Sequence, residues 1–254
     1  MTTAPIDKVP YSQKTSKVQW LDRDLSLLAF NARVLDWAKR DDVPLLERLR
    51  YLCIVSSNLD EFFEVRAALH NSAAHPKMPM DAAGAHAQHS LSKVAHALVD
   101  EQYALYNEVL LPAFAKEGVR ILSHGERTLA QHQWVKTFFE REVRPLLLPV
   151  GLDPAHPFPQ VANKSLNFIV ELLDGARAGI AIVRVPRALP RVIRLPDELQ
   201  PGRQSFVLLS SVIRSHLHEL FPGTTVGNFS QFRVTRDSDL EVDEDEVTNL
   251  RQAL

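Results

Sequence analysis

Apolar residues recur at helical spacing through the first part of the chain. Residues 25–40 place six of them on one face, which predicts a helix with Asp24 as its N-terminal cap. These positions are Leu25, Leu28, Ala29, Val34, Leu35 and Ala38. A second helix is predicted to begin near Pro44 and to bury Leu45, Leu46, Leu49, Leu52 and Cys53. It either continues through residues 56–57 or restarts at Asn58; the pattern leaves both open.

A third, longer helical pattern follows a predicted loop at residues 71–84, which contains two prolines and a glycine. It runs to about Lys116, with Pro112 as a predicted kink and Gly118 as the stop. Its apolar positions are Leu91, Val94, Ala95, Leu98, Leu105, Val109 and Leu110. These helices predict an antiparallel helical bundle.

The pattern changes after Gly118 to a mixture of helical and strand-like runs. Predicted helices cover residues 128–144 and 210–220 and begin again at 243, whereas residues 145–159 form a Pro-rich connector. Predicted strands cover 119–122, 165–173, 179–185, 191–195 and 229–236. Asp174-Gly175 between two of these strands is a hairpin signal. This half therefore predicts an α+β unit with a small, mainly antiparallel sheet.

The predicted organisation is α+β with two domains. Residues 1–17 form a flexible tail, residues 18–120 a helical amino-terminal domain, and residues 121–254 an α+β head domain. The 254 residues, 45% of them hydrophobic, suffice for two packed cores. Because the last predicted helix is interrupted by the end of the sequence, we expect the head domain to be truncated.

Charge, cysteine content and hydrophobic stretches exclude several classes of protein. With 29 basic and 31 acidic side chains the net charge is −2, which argues against nucleic acid as a general partner. The single cysteine, Cys53, excludes a disulfide framework and is predicted to be a small buried hydrophobe. Neither a secretory signal nor a membrane-length apolar stretch is found, which predicts a cytoplasmic protein.

Asn58 is the leading candidate for ligand recognition. Its carboxamide offers donors and an acceptor that can pair with the edge of adenine. The alternative is a capping role, since Ser57 and Asp60, and Asn58 and Glu61, have capping-box spacing. The nearby carboxylates Asp60, Glu61 and Glu64 are interpreted as a charged first turn that complements a helix dipole, not as catalytic groups or metal ligands. A stripe of His86, His89, Lys93 and His96 is interpreted as an exposed helix face.

Arginines concentrate in the second half. Arg184, Arg187, Arg191, Arg194 and Arg203 lie within twenty positions, and guanidinium groups suit phosphate oxygens. The first four are candidates for attracting a polyphosphate or triphosphate. The alternative is that they project into water from strands and a turn. No Walker-type or protein-kinase Gly-rich loop is present in the sequence, so it contains no self-contained phosphoryl-transfer machinery.

Several ordered motifs resemble one family. The octet at 56–63, residues 24–35 and 44–49, and the later segments 156–159, 183–191 and 232–244 are together similar to the amino-terminal and head domains of bacterial polyphosphate kinase. One departure is Leu27, where relatives usually carry Trp. An apolar replacement at a packing position alters fit more than chemistry.

The resemblance implies a transferase that moves the terminal phosphate of ATP reversibly onto polyphosphate. It implies a phosphohistidine intermediate and Mg²⁺, with the histidine and the metal ligands in carboxyl-terminal catalytic domains that are absent here. It also implies that Asn58 meets the adenine, and that ATP or ADP and polyphosphate are the substrates. The complete enzyme is expected to be a homo-oligomer that can associate peripherally with membranes. The 254-residue piece alone is expected to be inactive; the alternative is a non-catalytic dimerisation or polyanion-binding module.

Overall fold

A computed structural model describes residues 21–66, 82–152, 158–174, 177–200 and 202–236 of the chain. Its first half is helical. Helix α1 spans Arg23–Lys39 and α2 spans Leu45–Glu61, extended by a π-helical turn at Phe62–Arg66. Helix α3 spans Ala82–Ala104 and continues through a π-turn, Leu105–Leu110, into α4 at Leu111–Lys116. The fold class predicted from the sequence is confirmed.

Helix α1 begins two residues earlier than its apolar pattern indicated. Asp22 is the N-cap, and its carboxylate accepts a hydrogen bond from the Leu25 amide at 2.8 Å. The predicted cap, Asp24, is instead buried in the first turn, where Arg66 Nε donates to its carboxylate at 2.9 Å. The prediction was wrong because Asp22 and Asp24 both fit the sequence pattern of an N-cap. Only the contact of Asp24 with Arg66, which is distant in sequence, distinguishes them.

The helices enclose the first hydrophobic core. Its central side chains are Leu28, Leu35, Leu52, Val55, Leu98 and Leu110, all buried. The prediction of a stop at Gly118 is confirmed, since this residue has φ +78°, a conformation that favours glycine. Other predicted inward positions are exposed: Leu25, Ala29, Leu46, Cys53, Val94 and Val109. Cys53 is therefore not the buried hydrophobe that its neighbours suggested.

The described part of the second half contains two small sheets. A three-stranded sheet has the order β1-β6-β5 and a four-stranded antiparallel sheet the order β2-β4-β3-β7. The strands are β1 Val119–Ile121, β2 Pro149–Leu152, β3 Leu166–Asp174, β4 Arg177–Arg184, β5 Val192–Arg194, β6 Gln204–Leu208 and β7 Thr225–Arg233. The predicted pairing of β3 with β4 is confirmed, whereas β5 belongs to the other sheet. Strand β2 lies inside the predicted Pro-rich connector, and β6 was not predicted.

Helix α5, Leu129–Phe138, and helix α6, Leu209–Ser215, pack on these sheets. Thr128 and Gln131 form a capping box at the start of α5. The second core includes Phe139, Phe168, Ile213 and Leu217, with Leu122 and Val135 nearby. The predicted tail, residues 175–176 of the predicted hairpin turn and the predicted helix from 243 lie outside the described residues. None of the described helices has both the length and the apolar character needed to cross a bilayer.

Candidate functional site

A cavity of about 360 Å³ opens between α1 and the end of α2. Asn58 and Asn31 line it, together with the charged residues Arg23, Glu61 and Arg66. The remaining lining is apolar: Leu27, Leu28, Phe30, Leu59, Phe62 and Val65. An apolar pocket with a small number of polar groups is the usual form of a small-molecule site, and its volume falls within the common range of roughly 300–1,000 Å³.

Asn58 does not start a helix. Helix α2 runs unbroken from Leu45 to Glu61, so Asn58 lies in its last turn and the capping alternative is wrong. The neighbouring Ser56 is also held by a tertiary contact, because the buried Gln102 donates to its hydroxyl at 2.7 Å. The half-buried Asn58 carboxamide therefore serves no cap and faces a cavity.

Asn31 is the polar partner of Asn58. Asn58 Nδ2 donates to Asn31 Oδ1 at 3.0 Å, and Asn31 Nδ2 donates to the carbonyl oxygen of Val55 at 3.0 Å. Asn31 is only 2% exposed, in the middle of the buried stripe of α1. The sequence analysis did not identify Asn31 as a partner of Asn58. The available signal was an amide side chain that lies between Leu28 and Leu35 on the apolar face of α1.

Leu27 and Phe30 supply exposed apolar surface at the cavity. Leu27 is 42% exposed and Phe30 52%. Leu27 was interpreted as a packing position, but it lines the cavity and is not part of the core. A flat aromatic ligand would cover such surface, which is otherwise unfavourably exposed to water.

Two of the carboxylates beyond Asn58, those of Asp60 and Glu64, join the two halves of the protein. Asp60 accepts two hydrogen bonds from the guanidinium of Arg233 in β7, one of them at 2.9 Å. Glu64 pairs with Lys164 Nζ at 2.6 Å and also accepts from the Asn163 amide. Both acids lie at the C-terminal end of α2 or in the π-turn after it. Their interpretation as a first turn complementing a helix dipole was wrong.

A tight turn presents Asn163 and Lys164 to Glu64. Lys164 has φ 57°, and its amide donates to the carbonyl of Val234 at 2.8 Å. Arg187 donates to the Asn163 carbonyl, and the Arg236 amide donates to Asn163 Oδ1 at 3.0 Å. The hydrogen bond from Lys164, aided by Asn163, lowers the pKa of Glu64, and the same pair raises the pKa of Lys164. We refer to Asp60, Glu64, Asn163, Lys164 and Arg233 as the interdomain clamp.

The four candidate phosphate-attracting arginines fall into two groups. Arg184 donates to the Gln160 carbonyl at 3.1 Å, and Arg187 supports the turn of the interdomain clamp. Arg194 pairs with Asp197 at 2.7 Å at the other sheet, and Arg191 is exposed just before the same strand. Attraction of phosphate by these side chains stays a prediction; three of the four already serve acceptors within the protein.

Histidines do not form a metal centre within the described ranges. No three His, Cys, Asp or Glu side chains converge there in a way that would hold a metal ion. His89, Lys93 and His96 are exposed on α3, as predicted, while the side chain of His86 lies outside the described part. His124 and His132 contact each other edge to face, and burial, followed by the nearby His132, lowers the pKa of His124.

Comparison with family models identifies both halves of the chain. Residues 20–122 match the polyphosphate kinase N-terminal domain, and residues 130–254 match the polyphosphate kinase middle domain.

Individual relatives agree with these matches. The chain is 51% identical over 243 residues to a polyphosphate kinase of Neisseria meningitidis, covering 92% of this chain and 35% of the relative. It is 48% identical to that of Xylella fastidiosa over 264 residues, covering 99% and 38%. The crystal structure of polyphosphate kinase from Porphyromonas gingivalis superposes with a TM-score of 0.80 at 29% identity, covering 90% of this chain and 34% of that one. The chain thus spans about a third of the length of the relatives it matches.

Proposed function

Because the chain belongs to the polyphosphate kinase family and contains its N-terminal and middle domains, we propose that it is part of an ATP:polyphosphate phosphotransferase. In this proposal the enzyme reversibly transfers the terminal phosphate of ATP to polyphosphate, through a phosphohistidine. The histidine and the ligands of Mg²⁺ belong to carboxyl-terminal domains outside these residues. The observed pocket would hold the base of the nucleotide.

The observation that carries the proposal is the position of Asn58. Its carboxamide is half-buried among apolar side chains in a cavity of about 360 Å³, and it offers hydrogen-bonding groups to the edge of a base. Leu27 and Phe30 provide apolar surface for the faces of the base. A purine that enters would replace water on apolar surface and keep a polar contact at one edge.

The pocket contributes binding and orientation, not phosphoryl-transfer chemistry. Arg66, which also lines the pocket, is paired with the buried Asp24. Transfer requires cations positioned around the phosphates, which we assign to the domains outside the chain. The isolated 254 residues are therefore proposed to be inactive.

The test is substitution of Asn58 in the full-length enzyme. Asn58→Ala should raise KM for ATP about tenfold, with a smaller effect on kcat, since a hydrogen bond to the base is lost in the ground state as well as in the transition state. Asn107→Ala is the matched control, because Asn107 is exposed on the π-turn of the same domain.

An unchanged KM for ATP in Asn58→Ala would remove the site from the proposal. Synthesis of polyphosphate by the 254-residue chain alone, with ATP and Mg²⁺, would contradict the assignment of phosphoryl transfer to the carboxyl-terminal domains. Tight binding of a protein or polyphosphate by this chain, together with an unaffected nucleotide affinity, would favour the alternative of a non-catalytic module.

A further inference from the structure

Asn31 and Asn58 form a directed chain of hydrogen bonds that ends on a backbone carbonyl. The carbonyl oxygen of Val55 can only accept, so the Asn31 amide group that faces it at 3.0 Å must be the Nδ2 donor. This fixes Oδ1 of Asn31 toward Asn58. Asn58 must then donate, and it does so through Nδ2 at 3.0 Å.

Burial makes this direction stable. Asn31 is 2% exposed, so water does not readily replace either of its hydrogen bonds. Turning the Asn58 carboxamide by half a turn would set its oxygen against Asn31 Oδ1, two acceptors in contact and no donor between them. Leaving such groups unpaired at a buried position carries a desolvation cost. One orientation of Asn58 is therefore preferred.

In that orientation Asn58 keeps its Oδ1 acceptor and one N–H for a ligand. Among the described residues Oδ1 has no hydrogen-bond partner. We infer that Asn31 is a positioning residue that fixes the carboxamide of Asn58 and so selects a purine with an amino group at position 6 over one with an oxo group. This inference rests on the proposed function, in which Asn58 meets the base.

The selection follows from complementary donors and acceptors. Adenine places an amino donor beside a ring-nitrogen acceptor, which matches an oxygen and an N–H in the fixed order. Hypoxanthine in the same position places its oxo group against Oδ1 and its N1–H against the N–H of Asn58. A reversed carboxamide would suit hypoxanthine instead.

The test measures kcat/KM of the full-length enzyme with ATP and with ITP. The unmodified enzyme should prefer ATP by at least about tenfold. Asn31→Leu removes the partner of Asn58 and should bring the ATP/ITP ratio down about tenfold, mainly through KM, because the carboxamide can then reverse.

Asn31→Asp is the matched control. Its carboxyl group, whether protonated toward the Val55 carbonyl or ionised, still presents an oxygen acceptor to Asn58 Nδ2 and should keep the ATP/ITP ratio. Equal ratios in Asn31→Leu and Asn31→Asp would overturn the inference. So would a ratio in Asn31→Leu that matches the unmodified enzyme.

A series of nucleotides tests the same point without substitution at a buried position. Purine ribonucleoside triphosphate, which lacks a group at position 6, should be used less well than ATP but better than ITP. ITP used as well as the unsubstituted purine would overturn the inference. If Asn58→Ala leaves KM for ATP unchanged, the proposed nucleotide site at Asn58 fails. If it raises KM but Asn31→Leu keeps the ratio, only the role of Asn31 fails.

Discussion

Asp60 and Arg233 lie 173 positions apart in the chain, and the guanidinium of Arg233 donates two hydrogen bonds to the carboxylate of Asp60. Asp60 is two residues beyond Asn58 on α2, and Arg233 ends β7. The segment that carries the candidate base contact is thus held directly by the head domain. A shift of one domain relative to the other would therefore act, through Asp60, on the helical turn that carries Asn58.

We predict a measurable coupling between these two side chains. The Asp60 side chain is 16% exposed and that of Arg233 44%, so solvent weakens the pair without removing it. A double-mutant cycle with Asp60→Asn and Arg233→Gln, followed by urea unfolding, should give a coupling energy of about 1 kcal/mol.

The exposed pair Arg194 and Asp197 provides the comparison. Their side chains are 53% and 74% exposed, and both lie within the head domain. A cycle with Arg194→Gln and Asp197→Asn should give a coupling energy below about 0.5 kcal/mol. If the two cycles give the same value, Asp60 and Arg233 do not stabilise the junction between the domains.

The pH dependence of the interdomain clamp should depend on Glu64. Hydrogen bonds from Lys164 and then Asn163 hold the pKa of Glu64 below its usual value of 4.5, while partial burial opposes them. Because the folded protein keeps this carboxylate ionised to lower pH than the unfolded chain, its contribution is complete above 4.5 and is lost as pH falls through the folded-state pKa.

Glu64→Gln should accordingly lower Tm at neutral pH, and its difference from the unmodified chain should shrink as pH falls below about 4.5. Thermal unfolding followed by circular dichroism at several pH values measures this difference. Glu108→Gln is the control, since Glu108 is exposed on the π-turn of the helical domain. A difference that stays constant across the acid range would show that the charge of Glu64 does not stabilise the clamp.

The helices and the main hairpin could be predicted from the sequence because their signals are local. Periodic apolar residues, the Thr128 and Gln131 capping box and the left-handed Gly118 all depend on neighbours in the chain. Strand β2 was missed because prolines surround it; it lies at the edge of its sheet, where proline is tolerated.

The site was only partly predictable because its partners are distant in sequence. Asn58 was identified through its motif, but the same residues suggested a helix start. That alternative is excluded by the unbroken course of α2 through Asn58. The side chains of Asn58 and Ser56 instead contact Asn31 and Gln102, which lie 27 and 46 positions away. The arrangement of Asp60 and Glu64 depends in the same way on Arg233 and Lys164.

Arg48 caps the C-terminal end of α1 from the neighbouring helix. Its Nε donates to the Ala38 carbonyl at 2.8 Å, and its Nη1 lies 3.0 Å from Asp41. Arg48 is only 7% exposed. Its cation therefore compensates carbonyls that have no partner within the helix, and it also compensates the negative end of the helix dipole.

Arg48→Met keeps the aliphatic stem but removes these hydrogen bonds, and it should lower the free energy of unfolding by about 1–2 kcal/mol. Arg50→Met is the matched control on the same helix, where the side chain is 73% exposed, and should change it by less than about 0.5 kcal/mol. Urea unfolding of both variants measures this difference. Equal losses of unfolding free energy would show that Arg48 contributes through helix propensity and packing, and not through its hydrogen bonds to the C-terminal end of α1.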